Sequence, residues 1–423
     1  MAQRGCTVVG VDTDAARVKT LSEGKAPVYE PGLRELLQSV KGKFTATSSA
    51  REAVLASDIS FIMVPTPSDE TGGFSLKYVL AACKDIGSSL REKKGFHTIV
   101  LTSTVMPGAT GGEVKKALEN ASAKLCGTDF GLCYSPEFVA LGSVIQDFLK
   151  PDLLLIGESE PRSGELLASL YYKVCENTPP MARMNYVSAE LAKLAVNTFV
   201  TTKITFANML ARICERIPEA DVDAVTHGLG LDSRIGARYL KGAVGYGGPC
   251  FPRDNIALSS LARSVGASAD LAEVTDRANR REVDLLANLV KSKLPTDGTV
   301  GILGLAYKPD TDVVEESQGL QLAQRLLSQG VTVAVYDPAA MDNARKVLKG
   351  SIAYSSSVTD CARSSDVIVV TTPWKEFKFL TGEALNHTNG RPTVIDCWRF
   401  LTAKDFVTTC EYIPLGRGPQ SKP

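Results

Sequence analysis

The sequence predicts an α/β protein with two doubly wound, parallel β-sheets, joined by a long central helix and a helical middle domain. Three observations support this prediction. Short β-rich apolar runs alternate with amphipathic stretches over the first ~180 residues, one long apolar helix follows, and the alternation resumes from Thr299. Strands that alternate with helical patterns are typical of βαβ units and of a parallel sheet.

Five β-rich apolar runs predict the strands of the first domain, which we place at residues 1–182. The runs are Cys6–Val11, Ile59–Val64, Thr98–Ser103, Gly131–Ser135 and Leu153–Gly157. Their alternation with amphipathic stretches predicts a Rossmann-like domain.

The segment from Ser188 to about Arg216 predicts one long helix, with apolar residues spread widely around it. A helix that is apolar on several faces is expected to be buried between domains or subunits. The chain stays largely helical to Ala287, and Leu294-Pro295-Thr296-Asp297-Gly298 predicts a turn. We therefore expect a central helical domain at residues 183–290.

The last domain is predicted at residues 291–423, where the strand pattern resumes. Its strand-like runs are Val300–Leu303, Val331–Tyr336, Val367–Thr372 and Thr393–Asp396. They predict a second Rossmann-like sheet.

Composition excludes several classes of function. Lys plus Arg and Asp plus Glu number 47 each, so no overall field recruits nucleic acid or an anionic membrane. The ten cysteines form no CxxC pair, and no signal peptide or apolar run of ~20 residues occurs, so free thiols and a cytoplasmic location are expected. The three histidines, at 97, 227 and 387, lie far apart and predict no metal site.

The most informative segment is the glycine-rich run from Gly245 to Asp254, which holds Cys250 four residues before an aspartate. Glycines let the backbone turn sharply and approach a ligand closely, which suits a covalent nucleophile. The alternative is a loop around a buried cysteine. Upstream, Lys193 and Asn197 lie four residues apart on one face of the predicted long helix. A thiol, an amine, an amide and a carboxylate together can form and break down an acyl-enzyme.

Eight motifs stand in one order along the chain. They are Val8-Val9-Gly10-Val11-Asp12, Glu30-Pro31-Gly32-Leu33, Val64-Pro65-Thr66-Pro67, Ser103-Thr104-Val105, Ser135-Pro136-Glu137-Phe138, Lys193 with Asn197, the Cys250 loop, and Gly304-Leu305-Ala306-Tyr307-Lys308. Together they resemble the UDP-glucose/GDP-mannose dehydrogenase family, from about residue 5 to about residue 410. The resemblance implies a cytoplasmic, NAD-dependent enzyme of polysaccharide biosynthesis, which oxidises the C6 alcohol of a sugar nucleotide to a carboxylate, with UDP-glucose as the expected substrate.

The resemblance also implies roles for five residues. Cys250 holds the intermediate aldehyde as a thiohemiacetal, which becomes a thioester on the second oxidation. Lys193 acts on the first oxidation or stabilises a developing alkoxide, and Asn197 donates to the oxyanion. Asp254 orients or activates water and tunes the lysine, while Glu137 serves the water that opens the thioester. The alternative for Lys193 is an ordinary solvated lysine.

The cofactor contacts are expected at the carboxyl ends of the first domain's strands. Asp12 follows the first predicted strand, where such domains present an acid to the adenosine ribose. Arg17 matches a basic family position near the adenosine. Thr66, Thr104 and Glu137 follow later strands, at the edge of the sheet where ligands bind.

The family carries a Gly-x-Gly-x-x-Gly turn about 20 residues before the position of Asp12. Met1 corresponds to the tail of the helix after that turn, so we expect the first strand and the phosphate turn to be missing, a central strand to be unpaired, and NAD binding to be weakened. A start site assigned too late and a truncated, impaired protein are the two explanations. The intact downstream motifs favour the first.

For the sugar nucleotide, the resemblance implies contacts from both sides of the cysteine loop. The residues are Glu137, Phe138, Lys193, Asn197, Arg234, Tyr239, Gly247 and Lys308. In the family, the arginine matched by Arg234 comes from a neighbouring subunit. A homodimer through the central helix is therefore expected.

Two departures from the family leave the sugar open. Leu141 stands where many UDP-glucose enzymes have an acidic residue, and Glu315 replaces an arginine. A UDP-N-acetylhexosamine, such as UDP-N-acetylmannosamine, is therefore an alternative substrate. A non-catalytic sugar-nucleotide-binding subunit and a two-electron 3-hydroxyacid dehydrogenase are alternative functions, although the latter has no need of Cys250.

Overall fold

The computed structural model describes residues 1–385, 391–406 and 408–419 of the chain. The chain forms two compact units, Met1–Val196 and Asn197–Pro423. The division into domains at residues 182/183 and 290/291 stays a prediction. None of the described helices is both long enough and apolar enough to span a bilayer.

The first unit alternates strands and helices. Its strands are β1 (Val8–Val11), β2 (Phe44–Thr47), β3 (Ile59–Ile62), β4 (Thr98–Leu101), β5 (Gly131–Tyr134), β6 (Leu154–Glu158) and β7 (Met181–Met184). Its helices are α1 (Ala15–Ser22), α2 (Leu33–Ser39), α3 (Ala50–Ala56), α4 (Lys77–Leu90), α5 (Lys115–Ser122), α6 (Val144–Leu149) and α7 (Pro161–Val174), with a 3-10 turn at Ala2–Arg4 and a π-helical turn at Thr110–Val114. Helix α8 (Tyr186–Cys214) begins here and continues into the second unit. The five predicted strands and the long helix are confirmed.

The strands of this unit form two sheets. Strands β1 and β2 form a parallel pair, and a five-stranded sheet has the order β3-β4-β5-β6-β7. All neighbours in the larger sheet are parallel except β5 and β6, which pair antiparallel. In the part of the chain described, β1 pairs with β2 alone and β3 with β4 alone.

The core of this unit lies on the larger sheet. Every residue of β4 and β5 is buried, whereas β1, β2, α1 and α2 contain no buried residue. Residues 1–48 therefore contribute little apolar burial, and burial is the main source of stability for such elements.

The second unit contains a helical part and a parallel sheet. Its helices are the rest of α8, α9 (Val222–Leu231), α10 (Phe251–Ser264), α11 (Asp270–Lys293), α12 (Gln318–Ser328), α13 (Met341–Val347) and α14 (Val358–Arg363). Its strands are β8 (Thr299–Leu303), β9 (Thr332–Tyr336), β10 (Ile352–Tyr354), β11 (Val367–Val370), β12 (Thr393–Asp396) and β13 (Glu411–Pro414), and 3-10 turns occur at Lys375–Phe379, Gly382–Leu385 and Ala403–Asp405.

The sheet of the second unit confirms the predicted second Rossmann-like domain. Its strand order is β10-β9-β8-β11-β12-β13, and every pair is parallel. The chain therefore starts in the middle, builds outward to β10, and crosses over to β11. The doubly wound nucleotide-binding fold has this order, and its ligands bind at the carboxyl ends where the order reverses.

A neutral histidine is enclosed beside β4. His97 is 1% exposed, with Nδ1 3.0 Å from the Ser57 carbonyl oxygen and Nε2 2.9 Å from the Ser60 hydroxyl. Because a carbonyl only accepts, Nδ1 carries the proton and Nε2 accepts from Ser60. Burial, aided by the Lys93 ammonium and opposed by nearby Asp58, lowers the pKa of His97 to about 4.

We expect this histidine to make stability depend on pH. The unfolded chain binds a proton at its ordinary pKa of about 6.5, and the folded chain does so only near pH 4, so stability falls as the pH drops through that window. The difference is on the order of 3 kcal/mol. Thermal unfolding of wild type and His97→Gln between pH 7.5 and 4.5 measures it, with the exposed His227→Gln as control. An equal pH slope in wild type and His97→Gln would contradict the assignment.

Candidate active site

In the first unit, Lys193 of α8 is fixed against the loop that follows β5. Its Nζ donates to the Glu137 carbonyl oxygen at 2.6 Å and lies 4.4 Å from the centre of the Phe138 ring. Lys193 is only 8% exposed. A buried ammonium held by a carbonyl and a ring face is not the solvated surface lysine of the alternative interpretation.

The Glu137 carboxyl lies close enough to Lys193 for the two charges to interact. Burial raises the pKa of Glu137, and the Lys193 ammonium partly opposes that shift. A carboxyl with a raised pKa is a stronger base than an ordinary glutamate, which suits activation of a water molecule.

The loops after β3 and β4 are joined through their side chains. The Val64 amide donates to the Ser103 hydroxyl at 2.8 Å, and the Thr66 hydroxyl donates to the Thr104 carbonyl oxygen at 2.8 Å. The two predicted cofactor threonines are therefore brought together at the carboxyl edge of the sheet. The loop beyond Thr104 is held by Glu190 of α8, which is fully buried and accepts from the amides of Gly108 and Thr110.

Asp12 and Arg17 are also adjacent. One Asp12 carboxylate oxygen accepts from the Asp14 amide and the other from Arg17 Nη1, both at 2.9 Å. The hydrogen bond from the Asp14 backbone is the main reason that the pKa of Asp12 is lowered, and Arg17 adds to the effect. An ionised carboxylate at the end of a parallel strand fits the hydroxyls of a ribose.

In the second unit, Cys250 is exposed and occupies the N-cap position of α10. All ten cysteines lie in the described residues; no disulfide joins them, and seven are buried, as expected for core residues. The amides of a first helical turn favour negative charge, so this position suits a thiolate.

One turn into α10, Asp254 lies buried, 1% exposed. Asn197 Nδ2 of α8 donates to its Oδ2 at 2.6 Å, and the guanidinium of Arg253 lies 3.7 Å from its Oδ1. The structure thus joins two residues that are 57 positions apart in the sequence. Asn197 also stands one helical turn after Lys193 on α8, as the sequence predicted.

Two asparagines hold the backbone of the cysteine loop. Asn208 of α8 accepts from the Ala243 amide at 2.8 Å and donates to the Val244 carbonyl at 3.0 Å. Asn279 of α11 accepts from the Tyr246 amide at 2.7 Å and donates to the Tyr246 carbonyl at 3.0 Å. Sequence reasoning missed both. An amide within an otherwise apolar helical stretch is an available signal for Asn208, whereas Asn279 stands among charged residues and offers no such signal.

Glycines are required where this loop meets the segment after β8. A Cβ on Gly247 would lie 2.3 Å from the Glu316 carbonyl oxygen. Gly248 has φ +83°, donates its amide to the Glu315 carbonyl at 3.0 Å, and lies against the Tyr307 ring. Lys308, the predicted phosphate ligand, follows Tyr307 directly.

Arg234 and Tyr239 lie on the connection between α9 and α10. Arg234 is paired with Asp232, and its side chain is 87% exposed. Tyr239 is exposed as well, with φ +64°. Exposure of both residues is compatible with contacts to another molecule.

No metal centre is present in the described ranges, where no three His, Cys, Asp or Glu side chains are grouped to hold an ion. His387 lies outside the described residues.

All three parts of the chain match one family. Residues 1–175 match the NAD binding domain of the UDP-glucose/GDP-mannose dehydrogenase family, residues 187–281 its central domain, and residues 301–403 its UDP binding domain.

Relatives and a solved structure agree with this match. The chain is 35% identical to the UDP-glucose 6-dehydrogenase AglM of Haloferax volcanii, over 90% of this chain and 89% of the relative. It is 35% identical to the UDP-glucose 6-dehydrogenase of Rhizobium meliloti, over 98% and 95%. The structure of a UDP-glucose dehydrogenase from the archaeon Pyrobaculum islandicum superposes with a TM-score of 0.87 at 33% identity, over 98% of this chain and 93% of that one. The chain therefore belongs to the UDP-glucose/GDP-mannose dehydrogenase family and is an NAD-dependent enzyme of that family.

Proposed function

We propose that this enzyme oxidises the C6 hydroxyl of UDP-glucose to the carboxylate of UDP-glucuronate in two steps, through a covalent bond to Cys250. The observation that supports it most directly is the exposed Cys250 thiol at the N-terminus of α10, in a loop whose backbone is held by Asn208 and Asn279. A nucleophile held in one geometry is what covalent catalysis needs. The buried Asn197–Asp254 pair one turn away adds groups suited to an oxyanion and to water.

The proposed reaction consumes one water and releases two hydrides and three protons. Bound NAD supplies the chemistry of accepting the two hydrides that leave C6. Once C6 is an aldehyde carbon, the Cys250 thiolate adds to it and an S–C6 bond forms. Loss of the second hydride leaves a thioester, and attack by water breaks the S–C6 bond, giving the carboxylate and returning the thiolate.

The remaining groups handle protons and oxygen charge. Lys193 stabilises the alkoxide that develops at C6, since its ammonium is buried and held in place by the Glu137 carbonyl. Asn197 donates to the oxygen of the tetrahedral intermediates, and Asp254 orients the water. Glu137, whose pKa is raised by burial, takes the proton of the attacking water.

The donor groups of the first unit fit a nicotinamide dinucleotide. Asp12 with Arg17 is placed to hold the adenosine ribose, and Thr66 and Thr104 offer hydroxyls at the carboxyl edge where such sheets bind cofactors. For the substrate, we assign Phe138, Gly247, Arg234, Tyr239 and Lys308 to the sugar nucleotide, the last on the UDP side.

A UDP-N-acetylhexosamine is the second candidate substrate. Leu141 and Glu315 replace an acidic residue and an arginine of the family pattern. A change of charge near a substrate alters which sugar nucleotide is accepted, because an unpaired charge disfavours a ligand that cannot pair with it. Comparing kcat/KM for UDP-glucose and UDP-N-acetylmannosamine separates the two candidates.

The first prediction is that Cys250→Ala abolishes acid formation and leaves sugar-nucleotide binding nearly unchanged, since the thiol acts in bond-making. NADH formed per UDP-sugar and calorimetric UDP-sugar affinity are the measurements, with the half-buried Cys6→Ala as matched control. If Cys250→Ala still yields two NADH per sugar at the wild-type rate, the covalent mechanism is wrong.

The second prediction concerns the Asn197–Asp254 hydrogen bond. Asn197→Ala and Asp254→Ala should each lower kcat/KM by about 100-fold or more, and the double variant should lose much less than the product, because residues that act as a unit are not additive. The control cycle is the exposed pair of Arg263 on α10 and Glu273 on α11. Fully multiplicative losses for Asn197 and Asp254 would assign them separate roles.

We further propose a homodimer through the second half of α8. Phe199, Phe206, Met209 and Ile213 are each 45–63% exposed. At 3.6 residues per turn they fall within an arc of about 80°, so they form one exposed apolar stripe. Apolar stripes of this kind mark surfaces that bind another protein.

The third prediction is that Phe206→Glu shifts the protein towards monomer. Association would remove water from a charge in the centre of an apolar interface, and that costs free energy. Light scattering after size exclusion over a concentration series measures the shift. Leu166→Glu, an equally exposed leucine on α7, is the matched control and should leave the mass unchanged. A wild-type protein that is monomeric at every concentration would refute the dimer.

A further inference from the structure

Glu30 of the Glu30-Pro31-Gly32-Leu33 motif has no role in the proposed chemistry, yet its carboxylate is fully engaged. Its Oε2 accepts from the Gly142 amide at 2.7 Å, and its Oε1 accepts from the Val144 amide at 2.8 Å. One side chain thus binds two backbone donors of a segment more than 110 residues further along the chain.

The segment that Glu30 holds is the loop from Glu137 to Val144, which carries two of the proposed site residues. At its start, the Glu137 carbonyl accepts from Lys193. In its middle, Asp147 accepts from the Ala140 amide at 2.9 Å and from the Ser143 hydroxyl at 2.8 Å. At the far end, Glu30 accepts from the Gly142 and Val144 amides. Hydrogen bonds therefore hold the loop at its start, middle and end.

These hydrogen bonds are of the strong kind. A carboxylate that accepts from amides makes charge-assisted bonds, and its removal leaves donors without a partner. Gly142 has φ +85° and both Gly142 and Val144 are half-buried, so neither amide is fully open to water. The local apolar burial is small, because α2, which follows Glu30, contains no buried residue. The conformation of the loop's far end therefore depends on Glu30 more than on packing.

We propose that Glu30 is a positioning residue for the sugar nucleotide: it holds the far end of the Glu137–Val144 loop so that Phe138 faces the substrate, while Lys193 holds Glu137 at the start of the loop. This proposal rests on the proposed function, which assigns Phe138 to the sugar nucleotide. Glu30 itself does not touch the reacting atoms. Its loss therefore weakens sugar-nucleotide binding and leaves the thiol chemistry of Cys250 in place.

The test uses Glu30→Gln in the full chain. Glutamine has the same shape, but it presents an NH2 group to one of the two amides and keeps a single acceptor, so one hydrogen bond is lost. We expect KM for UDP-glucose to rise about tenfold while kcat changes less than threefold. Amide exchange at residues 140–144 should become at least about tenfold faster. Glu30→Asp keeps the charge with a shorter reach and should give an intermediate KM.

Glu35→Gln, an exposed glutamate on α2, is the matched control and should leave both readings at wild-type values. A purely structural role would instead lower the melting temperature and kcat together, with KM unchanged, and would overturn the proposal. Unchanged exchange at residues 140–144 in both Glu30 variants would overturn it as well.

Amide exchange and calorimetric UDP-glucose affinity require no turnover, so they separate this proposal from the proposed function. If wild type binds UDP-glucose but forms no acid, the proposed function fails, and Glu30→Gln still has to weaken binding for the positioning role to stand. Faster loop exchange with unchanged UDP-glucose affinity would show that the loop does not position the substrate.

Discussion

In both units, the loops that carry candidate site residues share one constraint: their backbone polar groups need hydrogen-bond partners from side chains elsewhere in the chain. Buried amides and carbonyls must find partners, and the glycines around Cys250 provide none. Asn208 and Asn279 each bind one donor and one acceptor of that loop. In the first unit, Glu190 and Glu30 each bind two amides. The side-chain type matches the backbone groups that it binds. An asparagine amide can both donate and accept, so it binds an N–H and a carbonyl, whereas a glutamate carboxylate only accepts and binds two N–H groups.

Helix α8 carries several of these groups on its buried side, away from its exposed apolar stripe. Lys193, Asn197 and Asn208 are each less than 10% exposed, and each has a hydrogen-bond partner. A polar group at such a position is expensive unless it is bonded, so its partners are fixed in geometry. The apolar residues that make the helix recognisable in the sequence thus also create the low-dielectric surroundings in which a lysine and an amide act strongly on oxygen charge.

How far the sequence predicts this structure follows from the same physics. Strands β4, β8 and β11 are buried and rich in β-branched residues, and their runs are evident in the sequence. Strands β2, β7, β10 and β13 were missed, because each lies at the end of its sheet and carries polar or exposed residues. The loop that holds Cys250 was singled out from its local composition. The roles of Asn279 and Glu30 were not, since each depends on a backbone group 33 or more residues away in the sequence.

The departure from the family pattern at Glu315 can change charge without changing the loop that holds Cys250. At Glu315 the contact with the cysteine loop is made by the carbonyl oxygen, which accepts from the Gly248 amide. A main-chain contact of this kind does not depend on the side chain, so an arginine or a glutamate holds the loop equally well. Replacement by glutamate therefore leaves the loop geometry intact and changes the local electric field, which opposes anionic groups at ranges below the Debye length. The position of the loop that holds Cys250 and the charge at residue 315 are in this way independent, and that charge can change without moving Cys250.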